Sequence, residues 1–425
     1  MPKYELRFLF DADANTFTFL DSQPVDAPPA PDPAPVPTPE PTPDPVPAPA
    51  PDPGPAPDPD QAPEGDALLH PLAMRLGAQP WQADWGGSNP MVGTSGELDQ
   101  RFLDDYAAMG FTVLRGMDLV PVNRSQVVSW DQRVLPAAKQ SSPGVAYEYQ
   151  IDMCNRGSMD FWTCVPLLAD DGYVAQLAQL IKARLRPSLR VFVELSNEVW
   201  NGAFSALNQS VQLGQKFGLP GNNKWYQGGA YEVWRSLQVF DLFRQVFGAA
   251  SMGTRVVRVH CEGGDLAITS DALANVYQSS KWNPSGQRLD MLAVAPYVGN
   301  GVDGAQETLA RWRSEVDKLM TTDKVAVAKR QAAQHGIPLV GAYEGGMHHL
   351  QNAQAFASSA LAGECYAYLL DAMGRELTGP ACLYTSHGVW KSGGAWGLLQ
   401  RVGDPVGGSP KAAAVVKWQR DRGAL

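Results

Sequence analysis

The sequence is short of several things, and each shortage excludes a class of protein. Its 425 residues hold five cysteines, Cys154, Cys164, Cys261, Cys365 and Cys382, an odd number scattered along the chain. No two have the spacing of a zinc or redox motif, which excludes a zinc ribbon and a disulfide scaffold. They read as small buried thiols, with an isolated disulfide as the alternative. No apolar run approaches the ~18 residues that a membrane-spanning helix needs, so no membrane insertion is expected. The start, Met1-Pro-Lys-Tyr-Glu-Leu-Arg7, lacks the charged-then-apolar pattern of a secretory signal. A chain acting outside the cell is then expected to leave by another route, such as release with a virus particle or through a dedicated machine. Lysine and arginine are missing altogether between Asp21 and Asp66, where ten acidic residues stand. That segment accounts for the whole formal net charge of −10. The remainder is close to neutral, which excludes a basic nucleic-acid surface.

Proline is concentrated rather than scarce. Residues 1–22 read as a small β-hairpin, with apolar or alternating runs Lys3–Phe10 and Thr16–Leu20 around Asp11-Ala-Asp-Ala-Asn15. An isolated hairpin is marginal in water, so it is expected to dock on a larger assembly or support an oligomer. Residues 23–66 form a Pro/Ala/Asp-rich linker that cannot build a core and prefers extended polyproline II. Some 40 such residues reach on the order of 100 Å. A docking ligand for a proline-binding domain is the competing reading. The length of the repeat favours a semi-rigid spacer.

From residue 67 to 425 strand-like runs alternate with helix-like ones, the pattern of parallel β/α units. Eight strands can be counted. Pro80–Trp85 is the first with its loop, then Phe111–Arg115, Phe161–Val165, Val191–Leu195, Arg255–His260, Asp290–Tyr297, Leu339–Tyr343 and Ala381–Thr385. Helical stretches at Leu98–Met109, Tyr173–Leu185, Tyr226–Phe247 and Val325–His335 lie between them, and Ser409-Pro410 starts a last helix. The expected fold is a (β/α)8 TIM barrel, with catalytic groups at the C-terminal ends of its strands.

Two stretches share one grammar. In Val191-Phe-Val-Glu-Leu-Ser-Asn-Glu-Val-Trp200 a buried strand delivers Asn197 and Glu198 to its far end. In Ile337-Pro-Leu-Val-Gly-Ala-Tyr-Glu344 another delivers Glu344, about 150 residues later. Alone, Ser196-Asn-Glu198 also fits a helix start, with Ser196 or Asn197 as cap. Two carboxylates on one barrel face are what glycosidic-bond hydrolysis requires, one protonated and one ionised.

These residues resemble the large retaining glycoside-hydrolase clan of β/α barrels, where Asn-Glu ends strand four and the nucleophile ends strand seven. The resemblance spans Trp81 to Trp418. It implies Glu198 as acid/base, Glu344 as nucleophile, and Asn197 on the sugar hydroxyl beside the anomeric carbon. It implies Tyr297 and Arg115 as groups that hold the nucleophile, and Trp390 beneath the scissile sugar. A lone Arg115 inside a barrel would need Glu344 or Glu194 as partner; Glu194 reads as structural. Glu262, followed by Gly263-Gly264, is the rival carboxylate. Trp85, Trp162, Trp200 and Trp396 are further stacking candidates at strand ends, each also readable as core. His260, His348 and His349 are candidate cleft residues, and no metal site or cofactor is expected. The chain departs from the clan's best-known families, with Ala295-Pro-Tyr297 where those have His-x-Tyr, and with no histidine in the strand-three loop.

The reading is a retaining β-glycoside hydrolase cutting within a cell-surface or matrix polysaccharide, tethered to a phage particle or other assembly. The alternative is a non-hydrolytic carbohydrate-binding or adhesin domain on the same scaffold, since fold does not fix function.

Overall fold

The computed structural model describes residues 72–80, 98–120, 122–140, 144–261 and 266–425, with the backbone of 4–11 and 16–24. The proline-rich stretch, Trp81, Trp85 and Glu262 lie outside these residues. Two N-terminal strands, Tyr4–Asp11 and Thr16–Pro24, pair antiparallel with Tyr4 opposite Pro24 and Asp11 opposite Thr16. They belong to one unit of the chain, Met1–Ala50; Pro51–Leu425 is the other.

Within the second unit eight parallel strands close into a barrel. They are β1 (Leu76–Gln79), β2 (Val113–Arg115), β3 (Asp160–Val165), β4 (Val191–Leu195), β5 (Val256–Cys261), β6 (Met291–Val294), β7 (Leu339–Ala342) and β8 (Ala381–Tyr384). Each pairs with its sequence neighbour, and β8 returns to β1 with Ala381 opposite Leu76 and Tyr384 opposite Gln79. Helices lie between the strands, and their starts follow from capping chemistry. Asp99 accepts from the backbone N–H of Arg101 ahead of Gln100–Ala108, and Asp170 from that of Tyr173 ahead of Asp171–Arg184. Asn223 caps Lys224–Phe247, and Ser409 caps Pro410–Asp421 with Pro410 in the first turn. Gly336 ends Lys324–His335 at φ 66°, a left-handed turn that costs glycine little. Among the described residues no helix is long and apolar enough to cross a membrane.

Side-chain alternation along the strands separates two cores. Val113, Trp162, Phe192, Val257, Val259, Met291, Ala293 and Tyr343 fill the barrel interior. Leu114, Phe161, Val191, Val193, Val256, Leu292 and Val340 face outward and pack under the helices. This parity decides which polar residues reach the lumen. Arg115, Trp162 and Glu194 do; His260, between Val259 and Cys261, does not.

The first strand differs from expectation. It is Leu76-Gly-Ala-Gln79, ending before Pro80; of the expected Pro80–Trp85 all but Pro80 lies outside the described residues. It carries no β-branched or aromatic residue, so composition does not reveal it. Packing explains it instead: a Cβ on Gly77 would lie 2.4 Å from the carbonyl oxygen of Val113 on β2. All five cysteines are buried and unpaired.

Candidate active site

The lumen is organised around Arg115, which is completely buried. Its Nε and Nη2 donate to the two oxygens of Glu194 at 2.9 and 2.6 Å. Its Nη1 donates to Glu344 Oε1 at 3.0 Å and to Gln79 Oε1 at 2.6 Å, and Nη2 also reaches Asn197 Oδ1 at 2.7 Å. The guanidinium lies over the rings of Tyr343 and Trp162, 5.1 and 5.8 Å from their centroids. Such a desolvated cation is tolerable only when charge and hydrogen bonds surround it. Arg115 therefore meets both carboxylates named for it, with Glu194 deep on β4 as its main counter-charge.

Glu344 follows β7 and is 4% exposed. Besides Arg115 it accepts from Gln79 Nε2 at 3.2 Å and from the Tyr297 hydroxyl at 2.7 Å. Charge-assisted donors on both oxygens fix the carboxylate's plane and meet its negative charge. Tyr297 is set by a short parallel pairing of Tyr297–Val298 with Gly346–Met347, so one small sheet couples the loops after β6 and β7.

Glu198 has a different environment. It accepts from Asn201 Nδ2 at 2.8 Å and from the Tyr343 hydroxyl at 3.3 Å, with no cation in direct contact. Burial, and then the negative charge of Glu344, push its carboxyl up to about 7. Ser196 and Glu198 both adopt left-handed backbone, with φ 59° and 41°. Strain of this kind costs of order 1–3 kcal/mol per residue and persists where the surroundings enforce it. Here the Ser196 N–H is held by the Val165 carbonyl at 2.7 Å, and Asn197 is clamped between Arg115 and Asn123, whose Oδ1 accepts from Nδ2 at 2.9 Å. No helix starts at Ser196 or Asn197; the next begins at Ser205. The capping alternative is thereby removed.

No family model matches the chain, and no curated protein matches it. Solved structures similar to it are glycoside hydrolases. A broad-specificity endoglucanase from Clostridium acetobutylicum is 13% identical with a TM-score of 0.48, covering 81% of this chain and 97% of that one. A similar enzyme from Bacteroides salanitronis is 15% identical, TM-score 0.47, over 83% of this chain and 93% of that one. An endo-β-1,3-glucanase from Sorangium cellulosum is 11% identical, TM-score 0.43, over 80% and 97%. At these values the likeness is one of overall fold, and the site stands on its own geometry.

That geometry gathers Glu198, Glu344, Asn197, Arg115 and Tyr297 in one network and moves other residues elsewhere. Trp162 is fully buried, stacks on Phe192 and donates its indole N–H to Glu194 at 2.7 Å. It is part of the barrel interior and offers no sugar platform. Trp390 is also buried, with its N–H on the Gly397 carbonyl at 2.7 Å and the Lys411 ammonium 4.8 Å from its ring. Packing inside the loop after β8 explains that position better than stacking on a substrate. The aromatic that does stand near Tyr297 is Trp396. Tyr384 lies 6.3 Å from the Tyr297 ring and 6.0 Å from Trp396, while His348 lies 5.0 and 5.7 Å from the same two. All four are partly exposed and form a wall beside Glu344. His349, its neighbour in sequence, is instead buried against Trp312 with Nε2 2.8 Å from Glu307. Trp200 and His260 line a different cavity, described below, and the outward parity of His260 is the reason.

Gln79, Asn123, Asn201 and Tyr343 escaped sequence reasoning, as did Asp118 on the turn after β2. Burial and the charge of Glu344 push the Asp118 carboxyl up to about 8, and its Oδ2 is buried without a partner. Only the two residues adjoining the carboxylates carried a signal: Asn201, three positions after Glu198, and Tyr343, just before Glu344.

Proposed function

We propose that the chain is a retaining β-glycoside hydrolase acting within a polysaccharide. The observation that carries this reading is the asymmetry of two strand-end carboxyls. Glu198 sits in a cation-poor niche that keeps its proton to about pH 7. Glu344 is gripped by Arg115, Gln79 and Tyr297. Such a pair suits double displacement. The Glu344 carboxylate attacks the anomeric carbon while Glu198 gives its proton to the leaving oxygen, forming a glycosyl ester. Glu198, now ionised, takes a proton from water, whose oxygen attacks the same carbon and releases Glu344. Asn197 keeps one amide N–H free of Asn123 for the hydroxyl beside the reacting carbon. The wall of Tyr297, Tyr384 and Trp396 supplies aromatic surface for sugar faces.

The test is a panel of β-linked polysaccharides treated with the wild type and Glu344→Gln. The expected result is cleavage with retained anomeric configuration, with viscosity falling before reducing ends accumulate, and no turnover by the variant. Inverted product would remove the double-displacement mechanism. Binding without cleavage across the panel would establish the adhesin alternative instead.

The hairpin and the proline-rich stretch support a tether to a larger particle, reaching a surface or matrix glycan. Light scattering and pull-down from the source lysate check this part. A full-length chain that stays monomeric and retains no particle would remove the tether and leave the chemistry untouched.

A further inference from the structure

A second cavity lies outside the ring of strands, between the segment after Glu198, the helices Ser205–Lys216 and Lys224–Phe247, and the helix that starts at Leu266. Its volume is about 330 Å³, within the range of small-molecule sites. Val199, Leu207 and Ile268 supply apolar walls, and Trp200 and Trp225 supply indole rings. Ser210 and Thr269 also line it, and its two titratable side chains are Glu232 from the long helix and His260 from the outer face of β5.

Both are unusual. Glu232 is 9% exposed and His260 3%, and neither hydrogen-bonds through its side chain to any described residue. Their polar atoms are not sealed off in the core but open onto the cavity, where they can meet a partner. The indole N–H of Trp200 is fully buried without a partner, which costs about 1–3 kcal/mol when nothing meets it. Burial, with the charge of Glu194, pushes the Glu232 carboxyl well above the usual range; burial alone pushes His260 down to about 4. Burial therefore favours the uncharged form of each group, a carboxylic acid that donates and an imidazole that both donates and accepts. No lysine, arginine or aspartate lines it.

These features define the occupant. An ion would enter without a counter-charge. A purely apolar ligand would leave Glu232 and His260 unmet. A ring with hydroxyls on its edge and an apolar face satisfies both sets of groups, and aromatic side chains suit the apolar face of such a ring. We propose that this cavity binds one neutral pyranose unit, its hydroxyls on Glu232 and His260 and its face against the indoles of Trp200 and Trp225. It is a carbohydrate site separate from the Glu198–Glu344 pair, neither of which lines it.

The chain has four isoleucines, Ile151, Ile181, Ile268 and Ile337, and only Ile268 lines the cavity. The experiment is a methyl NMR titration of the full chain with D-glucose, D-galactose, D-mannose and N-acetyl-D-glucosamine. At least one sugar is expected to shift the Ile268 methyl saturably while the other three stay in place. His260→Phe, which keeps the ring but removes its two nitrogens, is expected to weaken that response at least tenfold, with the other isoleucine signals reporting an intact fold. Glu232→Gln keeps a neutral hydrogen-bonding group and is expected to preserve binding, whereas Glu232→Leu is expected to lose it. An Ile268 signal unmoved by every sugar, or moved equally in His260→Phe, overturns the site. The readout needs no turnover, so it stands or falls separately from the hydrolase reading.

Discussion

Glu198→Gln is expected to lower kcat/KM by about 10²–10⁴-fold and to erase an alkaline limb centred near pH 7. In the proposed mechanism the limb arises because Glu198 must carry a proton to release the leaving group. Burial and the charge of Glu344 hold that proton to about pH 7, against the opposing pull of Asn201, Arg115 and Tyr343. Activity of the first chemical step is then full below that value and falls as pH rises through it. The same group makes a stability prediction with a definite sign. Its folded value lies above its ordinary 4.5, so the folded state binds the proton more tightly. That contribution is complete below pH 4.5 and is lost as pH rises through about 7. Above it, the ionised carboxylate costs on the order of 3 kcal/mol relative to low pH. Glutamine carries no such charge, so the inactive variant should melt higher than wild type at pH 8 and equally at pH 4. Thermal melts at both values, beside a pH–rate profile, check the pair of statements. A variant with the wild-type alkaline limb would remove Glu198 from the role of acid.

The second large effect concerns Arg115. Arg115→Met is expected to destabilise the barrel by about 3–5 kcal/mol, because removing one partner of a buried ion network leaves the other charges uncompensated. Glu194 would lose both of its charged donors, Glu344 one of three, and Asn197 the guanidinium bonded to its Oδ1. Activity should fall with stability, since the same hydrogen bonds aim Glu344. A double-mutant cycle separates the contributions. Adding Glu194→Gln to Arg115→Met removes the unpaired charge and should recover part of the loss, giving a coupling of more than 1 kcal/mol. Urea midpoints measure it. Additive effects would mean that Arg115 acts through packing on Tyr343 and Trp162 and not through charge.

Much of the barrel was legible in the chain. The ends of β4 are legible because Val-Phe-Val-Glu-Leu is apolar and β-branched after a helix-like segment that closes at a proline. Glu198 and Glu344 were legible because each follows such a run, where the barrel places its reactive face. β1 was not legible, since Leu-Gly-Ala-Gln owes its strand to contact with β2. The misplaced tryptophans show a second limit. Nearness to a strand end does not say whether a side chain points up, inward or into a loop's own core. Trp162 sits mid-strand and faces the lumen floor, while Trp390 is turned inward by the loop after β8, leaving Trp396 beside Tyr297. His260 misleads in the same manner, because one step of strand register moves a side chain from the lumen to the helical layer.

The sequence by itself determined the alternation of strands and helices, the helix caps, and the pair of carboxyls at two strand ends. These are local properties, written in periodicity and in neighbours along the chain. Tertiary structure decided which groups meet. Gln79, Asn123 and Arg115 reach Glu344 and Asn197 from strands and turns remote in sequence, and Glu232 meets His260 across two layers. Closure of the barrel brings those side chains within hydrogen-bond distance or into one cavity, and burial there sets their protonation.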